Sequence, residues 1–318
     1  MGISTQGIVT VDLGAVVANW RLLCDRHAPG AVAAVMKADG YGLGAGPIAH
    51  ALQAAGCGDF FVAHLSEGMA LRKAIGPGPM IAVLNGFPSG ADEDAALTPV
   101  LNSYGDVIRH RERPAILHVD TGMARLGLDA QELARLAADD DLRNGLELLY
   151  VMTHLACADD PAHPLNALQA ARFAAAAALF PGVPSSFANS SGIFLGPGFT
   201  SDLARPGCAL YGINPQPGAP NPMRPVMRLE VPVLQVRDIA AGDTVGYGAS
   251  WHGRRPSRIA TVAAGYADGY LRVLSGRASA AIGGRPVPLV GRVSMDLITL
   301  DVTDFPDVVQ GTRVTLIG

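Results

Sequence analysis

The sequence predicts an α/β chain: a TIM-type (β/α)8 barrel over residues 1–220, followed by a smaller all-β C-terminal domain over residues 221–318. Three observations predict it. Short apolar runs alternate with helix-like patterns through the first two thirds of the chain. Those runs lack a polar–apolar alternation, as expected of strands buried on both faces. After Tyr211 comes a Pro/Gly/Asn-rich linker, INPQPGAPNP, and then short β-rich runs separated by Gly, Pro and Asp. A doubly wound sheet is the competing architecture, but no GxGxxG follows a first strand to support it.

Taken in order, Ile8–Val11 is β-branched and reads as a strand, one able to join the β domain instead of the barrel. Residues 13–26 carry apolar side chains at helical spacing. Residues 31–36 (AVAAVM) form a buried strand that delivers Lys37 to its carboxyl end, and a Gly-rich turn with Asp39 and Tyr41 runs on to Gly46. A helix over 47–55 and a strand over 59–64 follow. Ser66 is expected to cap a helix over 67–75, which the Gly76-Pro77-Gly78 breaker closes. Next come a strand over 80–84, a short helix over 92–97, a strand over 99–102 and a helical piece over 105–111. A strand over 115–119, a helix over Ala130–Ala138 and a strand over 146–153 lead to a long Ala-rich helix over 165–179. Residues 186–188 and Leu203–Ala204 are the last two short strands. This makes roughly eight βα units in the length of about 200–250 residues that a barrel needs.

Composition narrows the function classes. The chain has 318 residues, of which 49% are apolar and 16% charged, so it buries a large core. A net charge of −4 without a basic block argues against nucleic acid as the main partner. No run approaches the roughly 18 apolar residues of a spanning helix, so no membrane is expected. The N-terminus lacks a basic region followed by an apolar stretch, so no signal peptide is expected; MGISTQ resembles a myristoylation start, but so short a pattern carries little. Cys24, Cys57, Cys157 and Cys208 lie far apart with no CxxC pair, and the histidines show no metal-type spacing. These are read as reduced thiols in a cytoplasmic, metal-free protein.

Barrels place their chemistry at the carboxyl ends of strands. The residues just past each expected strand are Lys37, then 120–125 (DTGMAR), then Thr153-His154, then 189–192 (NSSG), then Arg205-Pro206-Gly207. Each has an ordinary explanation alone: a solvated strand-end lysine, a satisfied core histidine, arginines in rim ion pairs. Their recurrence at one end of successive strands favours a site. The loops after the seventh and eighth strands are the usual phosphate site of a barrel. A lysine beside a phosphate cradle suggests pyridoxal 5′-phosphate held as a Schiff base. Class I aldolases also pair a barrel lysine with a phosphate site, so spacing alone leaves both open.

The motifs are more specific. VMKADGYGLG resembles the pyridoxal-phosphate attachment motif of bacterial alanine racemases. HVDTGMARLGL, VMTHLA, ANSSG, LARPGCALYG, VGYGASW, AAGYADGY and GRVSMD are similar to that family's further blocks, in the same order, from Val9 to the last residue. The resemblance implies a pyridoxal-phosphate-dependent isomerase interconverting L- and D-alanine and supplying D-alanine for peptidoglycan. It implies a cytoplasmic homodimer with shared active sites. By the same resemblance Lys37 carries the cofactor and is the base for the D enantiomer. Tyr266, in GYADGY, is the base for the L enantiomer and enters from the neighbouring protomer. Arg125 touches the cofactor's phenolic oxygen and the substrate carboxylate, while Arg205 faces the pyridine nitrogen and is held by His154. Tyr41, Asn189, Ser190 and the backbone around Gly207 and Cys208 belong to the cofactor site, chiefly around its phosphate. Met295, from the partner, lines the substrate pocket.

Racemisation needs a base on each face of the reacting carbon, and one flexible lysine cannot reach both. An arginine keeps its proton, so a pyridine nitrogen facing Arg205 stays unprotonated and the electron sink is limited. Related barrel decarboxylases are expected to have a carboxylate there, so Arg205 favours a racemase. Three departures stand out. His118 occupies a position where many family members have a carbamylated lysine that orients the equivalent of Arg125; another anion such as chloride, or His118 itself, takes that task. Leu43 replaces a common histidine. The chain ends at VTLIG, within a strand pattern, where the family continues to a tyrosine that reaches the phosphate. The rival readings are a racemase of broader or other specificity (serine, lysine) and a non-catalytic pyridoxal-phosphate carrier, which lacks both the β domain and the GYADGY block.

Overall fold

The computed structural model describes residues 7–88 and 96–318. The MGISTQ start and residues 92–95 of the helix expected over 92–97 lie outside the described residues. The chain folds as two units, one formed by Asp12–Val226 and the other by the residues up to Val11 with Met227–Gly318. The first strand, β1 (Ile8–Val11), belongs to the second unit.

The strands of the larger unit are β2 (Ala31–Val32), β3 (Ala34–Val35), β4 (Asp59–Val62), β5 (Met80–Val83), β6 (Thr98–Leu101), β7 (Ala115–His118), β8 (Leu148–Met152), β9 (Ser185–Ser186) and β10 (Leu203–Ala204). They hydrogen-bond in the order β2-β10-β9-β8-β7-β6-β5-β4-β3, and every pairing is parallel. β2 and β3 are halves of one strand interrupted at Ala33, whose N–H still reaches the Ala204 carbonyl at 2.9 Å. Counted as one, they reduce nine strands to eight, and the ring closes because β2 pairs with β10 while β3 pairs with β4. The (β/α)8 barrel is the fold.

The absence of alternation in the strands follows from this closure. Ala33, Val35, Phe61, Ala82, Val100, Ile116, Met152 and Leu203 fill the barrel interior. Their strand neighbours Leu101, Leu117 and Val151 face outward and pack with Leu136 and Phe173 of the surrounding helices. Both faces are therefore apolar, small alanines making room for Phe61 and Met152.

The helices are α1 (Leu13–His27), α2 (Lys37–Tyr41), α3 (Ala45–Ala54), α4 (Leu65–Ile75), α5 (Tyr104–Arg109), α6 (Ala130–Ala138), α7 (Asp140–Asn144) and α8 (Leu165–Ala177). Capping explains several starts: Asp12 accepts the Ala15 N–H at 2.9 Å, and Asp129 accepts those of Gln131 and Glu132. α4 departs from expectation. It begins at Leu65, ahead of Ser66, because the Glu67 carboxylate reaches back to the His64 N–H at 3.0 Å and caps the helix there. α7 was not expected from the sequence, and β9 is followed by two short 3₁₀ turns and β10 by one, rather than by full helices. Among the described residues no helix is long and apolar enough to cross a membrane.

The second unit holds β11 (Met227–Ile239), β12 (Thr244–Val245), β13 (Trp251–His252), β14 (Ser257–Val262), β15 (Ser279–Ile282), β16 (Arg285–Val290), β17 (Ile298–Asp301) and β18 (Arg313–Ile317). Its main sheet runs β1-β11-β14-β17-β16-β15-β18, all antiparallel, and β11 also pairs with β18. The long β11 serves all these neighbours by changing register between Val233 and Gln235, a bulge that bends the strand. Val231, Val262, Leu300 and Val314 lie in its core.

Phe61 is fully buried inside the barrel. Phe61→Ala is expected to cost roughly 3–5 kcal/mol, measured as a lower urea midpoint with an unchanged slope.

Candidate functional site

Lys37 stands at the carboxyl end of the closing strand, one residue past the rung in which the Met36 N–H donates to the Phe61 carbonyl at 2.7 Å. The chain then turns left-handed: φ/ψ is 53/46° at Ala38, 51/50° at Asp39 and 65/44° at Gly40, and Tyr41 follows at φ 58°. Only Gly40 takes this conformation without penalty. For Ala38, Asp39 and Tyr41 it costs about 1–2 kcal/mol each, so the turn stores roughly 3–6 kcal/mol of strain. Hydrogen bonds offset it. The Gly40 N–H reaches the Met36 carbonyl (2.9 Å), the Gly42 N–H reaches the Ala38 carbonyl (2.8 Å), and Asp39 accepts the Ala45 N–H (2.8 Å). The Glu67 carboxylate accepts the Ala38 N–H at 2.7 Å. This tight reversal lets Lys37 and Tyr41, four residues apart, line the same cavity.

That cavity, of about 160 Å³, is lined by Lys37, Tyr41, His154, Asn189, Ser190, Arg205, Gly207 and Cys208 among others. Its polar rim is built around Ser190. The buried Ser190 Oγ accepts the N–H groups of Gly207 (2.9 Å) and Ala209 (3.2 Å), leaving its own proton available to a ligand. Gly207 must be glycine, because a Cβ there would lie 2.1 Å from the Tyr41 hydroxyl oxygen. Tyr41 stacks on Tyr211 with ring centres 4.4 Å apart. Burial, with Cys208 beside it, pushes the Tyr41 hydroxyl up to about 12, so it remains a donor. Asn189 spends its side chain on the loop itself, donating to Leu155 O (3.2 Å) and accepting the Gly192 N–H (2.9 Å).

Arg205 is buried at the cavity wall, held by the Ser186 hydroxyl and the Thr153 carbonyl, each at 2.5 Å. No carboxylate pairs with it among the described residues. Burial lowers its guanidinium to about 10, and it stays charged at neutral pH. His154 lies within electrostatic range but is not among its hydrogen-bond partners. Burial above all, then the charge of Arg205, with His118, Arg125 and Lys37 adding to it, lowers His154 to about 3. The wall therefore combines a fixed cation with a neutral imidazole.

Lys37 and His154 also line a second cavity of about 280 Å³, together with Leu84, His118, Met123, Arg125 and Met152. Arg125 is presented by a loop wound around Asp120, whose carboxylate accepts the N–H groups of Gly122, Met123 and Ala124. Burial alone would raise Asp120, but those amide bonds outweigh it and hold the carboxyl below its usual range. His118 hydrogen-bonds through Nδ1 to Asn102 Oδ1 at 2.8 Å. The Asn102 amide nitrogen donates to Leu84 O and Val100 O, so Oδ1 must be the acceptor and His118 Nδ1 the donor. His118 Nε2 is left with a lone pair. Burial first and Arg205 second lower His118 to about 4, Asp120 pulls the other way more weakly than either, and Arg125 adds a still smaller lowering.

Tyr266 and Met295 lie in the other folding unit and are brought together there. The Tyr266 N–H donates to Ser294 O (3.0 Å), and the Ala267 N–H donates to Met295 O (2.9 Å). A Cβ on Gly265 would fall 2.1 Å from Met295 O, so glycine is what permits these two loops to touch. Tyr266 is 42% and Met295 54% exposed, and both side chains are thus available to a partner molecule.

Several positioning groups were not legible in the sequence. Ser186 lies in the two-serine strand β9 and Asn102 just past the end of β6, and only the neighbours they meet in the fold give them a function. Gln169 on α8 is fully buried and joins the two loops that carry Arg125 and His154: its amide nitrogen donates to Thr121 Oγ1 and His154 O, and its oxygen accepts the Ala156 N–H. Its signal was a lone glutamine within an Ala-rich helix.

The class defined by fold and site is a parallel (β/α)8 barrel that gathers a lysine amine, a buried guanidinium and a hydroxyl-and-amide cradle at the carboxyl ends of its strands, in a chain that also carries an antiparallel β unit. Comparison with known proteins resolves the class. The alanine racemase N-terminal domain matches residues 11–215, and the alanine racemase C-terminal domain matches residues 226–318. The chain belongs to the alanine racemase family. It is 54% identical to the alanine racemase of Acidiphilium cryptum over 98% of this chain and 89% of that one. It is 50% identical to that of Rhodospirillum rubrum, over 98% and 87%. The crystal structure of alanine racemase from Bartonella henselae with covalently bound pyridoxal phosphate superposes with a TM-score of 0.93 at 43% identity, covering 99% of this chain and 91% of that one.

The two lowered histidines set a pH dependence. With an unfolded value near 6.5 and folded values of about 4 and about 3, the unfolded chain binds more protons between them. Their contribution to stability is complete above pH 6.5 and is lost as pH falls toward 4 and below. Urea unfolding at stepped pH is expected to show this slope, and His118→Asn to flatten its upper part.

Proposed function

We propose that this protein is an alanine racemase, interconverting L- and D-alanine with pyridoxal 5′-phosphate bound at Lys37, and that it supplies D-alanine for peptidoglycan. The observation that carries the reading is the convergence of Lys37, Ser190, Gly207 and a buried Arg205, which no carboxylate among the described residues pairs with, on one cavity, in a chain of this family. The cavity fits the cofactor on its own terms. The Ser190 hydroxyl and the Tyr41 hydroxyl, kept protonated, supply donors for a phosphate. The uncompensated guanidinium of Arg205 supplies a donor for a ring nitrogen, and cannot protonate it outright.

Bound pyridoxal 5′-phosphate withdraws electrons from the substrate's α-carbon and acidifies its C–H bond. The residues then divide the work. Lys37 would hold the cofactor covalently and move the proton at the α-carbon on the face of D-alanine. Tyr266 Oη would move the proton on the opposite face, that of L-alanine, approaching from a second copy of the chain. Arg125 would fix the substrate carboxylate, with His118 Nε2 beside it as a neutral acceptor. The Met295 backbone, from the same second copy, would close the pocket. His154, held neutral, contributes bulk and exclusion of water beside Arg205 rather than a second charge.

The assignment includes a homodimer. Its support is the apolar surface of the C-terminal unit: Tyr266, Leu271, Val273 and Met295 are all exposed. The assignment also includes a cytoplasmic location, consistent with four free thiols.

Purified protein given the cofactor is expected to gain an absorbance near the visible edge, and Lys37→Ala to lose it. A racemisation panel over alanine, serine, lysine and arginine is expected to show alanine as the best substrate; serine or lysine exceeding it would replace the assignment. Because the two alanine enantiomers have equal free energy in water, a variant must lose kcat/KM equally in both directions. Tyr266→Phe is therefore diagnosed by exchange: in D2O, D-alanine is expected to lose its α-proton while staying D, and L-alanine to keep its own.

A further inference from the structure

Glu67 sits at two junctions. One carboxylate oxygen, Oε2, accepts the N–H groups of Ala63 (2.8 Å) and His64 (3.0 Å), which caps α4 just after β4. The other, Oε1, accepts the Ala38 N–H at 2.7 Å. The ladder between β3 and β4 ends at the bond from Met36 N–H to Phe61 O. Beyond it the two backbones no longer pair, and the carboxylate takes the place of the next rung, joining Ala38 to Ala63. Helix capping needs only Oε2, so the contact to Ala38 is a separate feature.

The Ala38 N–H belongs to the peptide plane it shares with the Lys37 carbonyl. Holding that N–H fixes Lys37 ψ and Ala38 φ together. This is the plane at which the chain enters its left-handed turn, Ala38 standing at φ 53° and Asp39 at φ 51°. An alanine and an aspartate favour right-handed backbone, so the plane is biased to flip. A flip would turn the N–H away from Glu67 and re-aim the bond that carries the lysine side chain. The other hydrogen bonds of the turn come from within residues 36–45, and would move with it. Glu67 is anchored on a different helix.

We propose that Glu67 is a positioning residue for Lys37: it clamps the first peptide of the left-handed turn and so sets where the lysine amine stands. The proposal rests on the assignment of Lys37 made above. In Glu67→Gln a single oxygen must choose between Ala38 and the α4 amides, and an NH2 group is left facing an N–H donor. Replacing Ala38 with glycine removes the left-handed penalty at the residue the clamp holds, and so lessens the need for the clamp.

The test compares holoenzymes of wild type, Glu67→Gln, the double variant Glu67→Gln/Ala38→Gly, and Asp139→Ala, which removes the Leu142 N–H cap of α7. Glu67→Gln is expected to change the visible circular dichroism of the lysine-linked cofactor and to lower kcat about tenfold with KM for alanine within about twofold. Its α-deuterium isotope effect is expected to rise more with D-alanine than with L-alanine. The double variant is expected to recover most of the dichroism and of kcat. Asp139→Ala is expected to lose thermal stability without any of these changes. If Glu67→Gln does not fold, Glu67→Asp replaces it, with an arm long enough for its own helix amides but too short for Ala38. Unchanged dichroism and isotope effects in the Glu67 variants, or no recovery in the double variant, would make Glu67 a helix cap only. A wild-type protein that links no cofactor overturns the functional assignment as well, so the two failures are distinguishable.

Discussion

A guanidinium buried without a carboxylate is the constraint around which the barrel mouth is arranged. Removing a charge from water costs several kcal/mol even after relaxation, and among the described residues Arg205 hydrogen-bonds to a hydroxyl and a carbonyl and no carboxylate, with the Phe61 ring 6.0 Å away. The two imidazoles near it are accordingly neutral. His154 and His118 are both held far below the ordinary histidine range, by burial first and by this cation second. Arg205 thus keeps its charge between two neutral imidazoles, at a cavity wall where a ligand can meet it. A ring nitrogen with a free lone pair matches that charge, whereas a protonated one would repel it.

The second organising feature is mechanical. Closing a barrel through residues 31–36 brings the strand that ends in Lys37 between β10 and β4, so backbone bonds hold it on both sides. The left-handed turn that follows is costly, and the bonds around it stabilise a reversal short enough to place Lys37 and Tyr41 on the same cavity. Strain at this point is paired with close support from Asp39, Glu67 and the Tyr41–Tyr211 stack. The opposite wall is firm for a different reason: Gln169 joins the loops of Arg125 and His154 from inside the molecule.

The barrel was legible because its strands are short, apolar on both faces and separated by helices, a pattern that few other architectures produce. Lys37, Arg125, His154, Ser190, Arg205 and Gly207 were legible because each lies just past a strand, where a barrel gathers its chemistry. The start of α4 was misread at Ser66, since a serine is a common cap and nothing local shows that Glu67 reaches back over it. The left-handed turn was foreshadowed by Gly40, Gly42 and Gly44, yet those glycines do not reveal that Ala38, Asp39 and Tyr41 adopt the same conformation.

By itself the sequence determined the fold class and the family, and it pointed to the side chains that gather at the barrel mouth, because periodicity, composition and short motifs are local properties of the chain. Only the tertiary structure decided how those groups are held. The tautomer of His118 depends on Asn102, which lies just past the end of the neighbouring strand, and the neutrality of His154 depends on burial and on a cation fifty-one residues away along the chain. The clamp on Ala38 depends on a carboxylate from α4. Directions, distances and desolvation are set by which strands and helices become neighbours, and that is a consequence of closing the barrel.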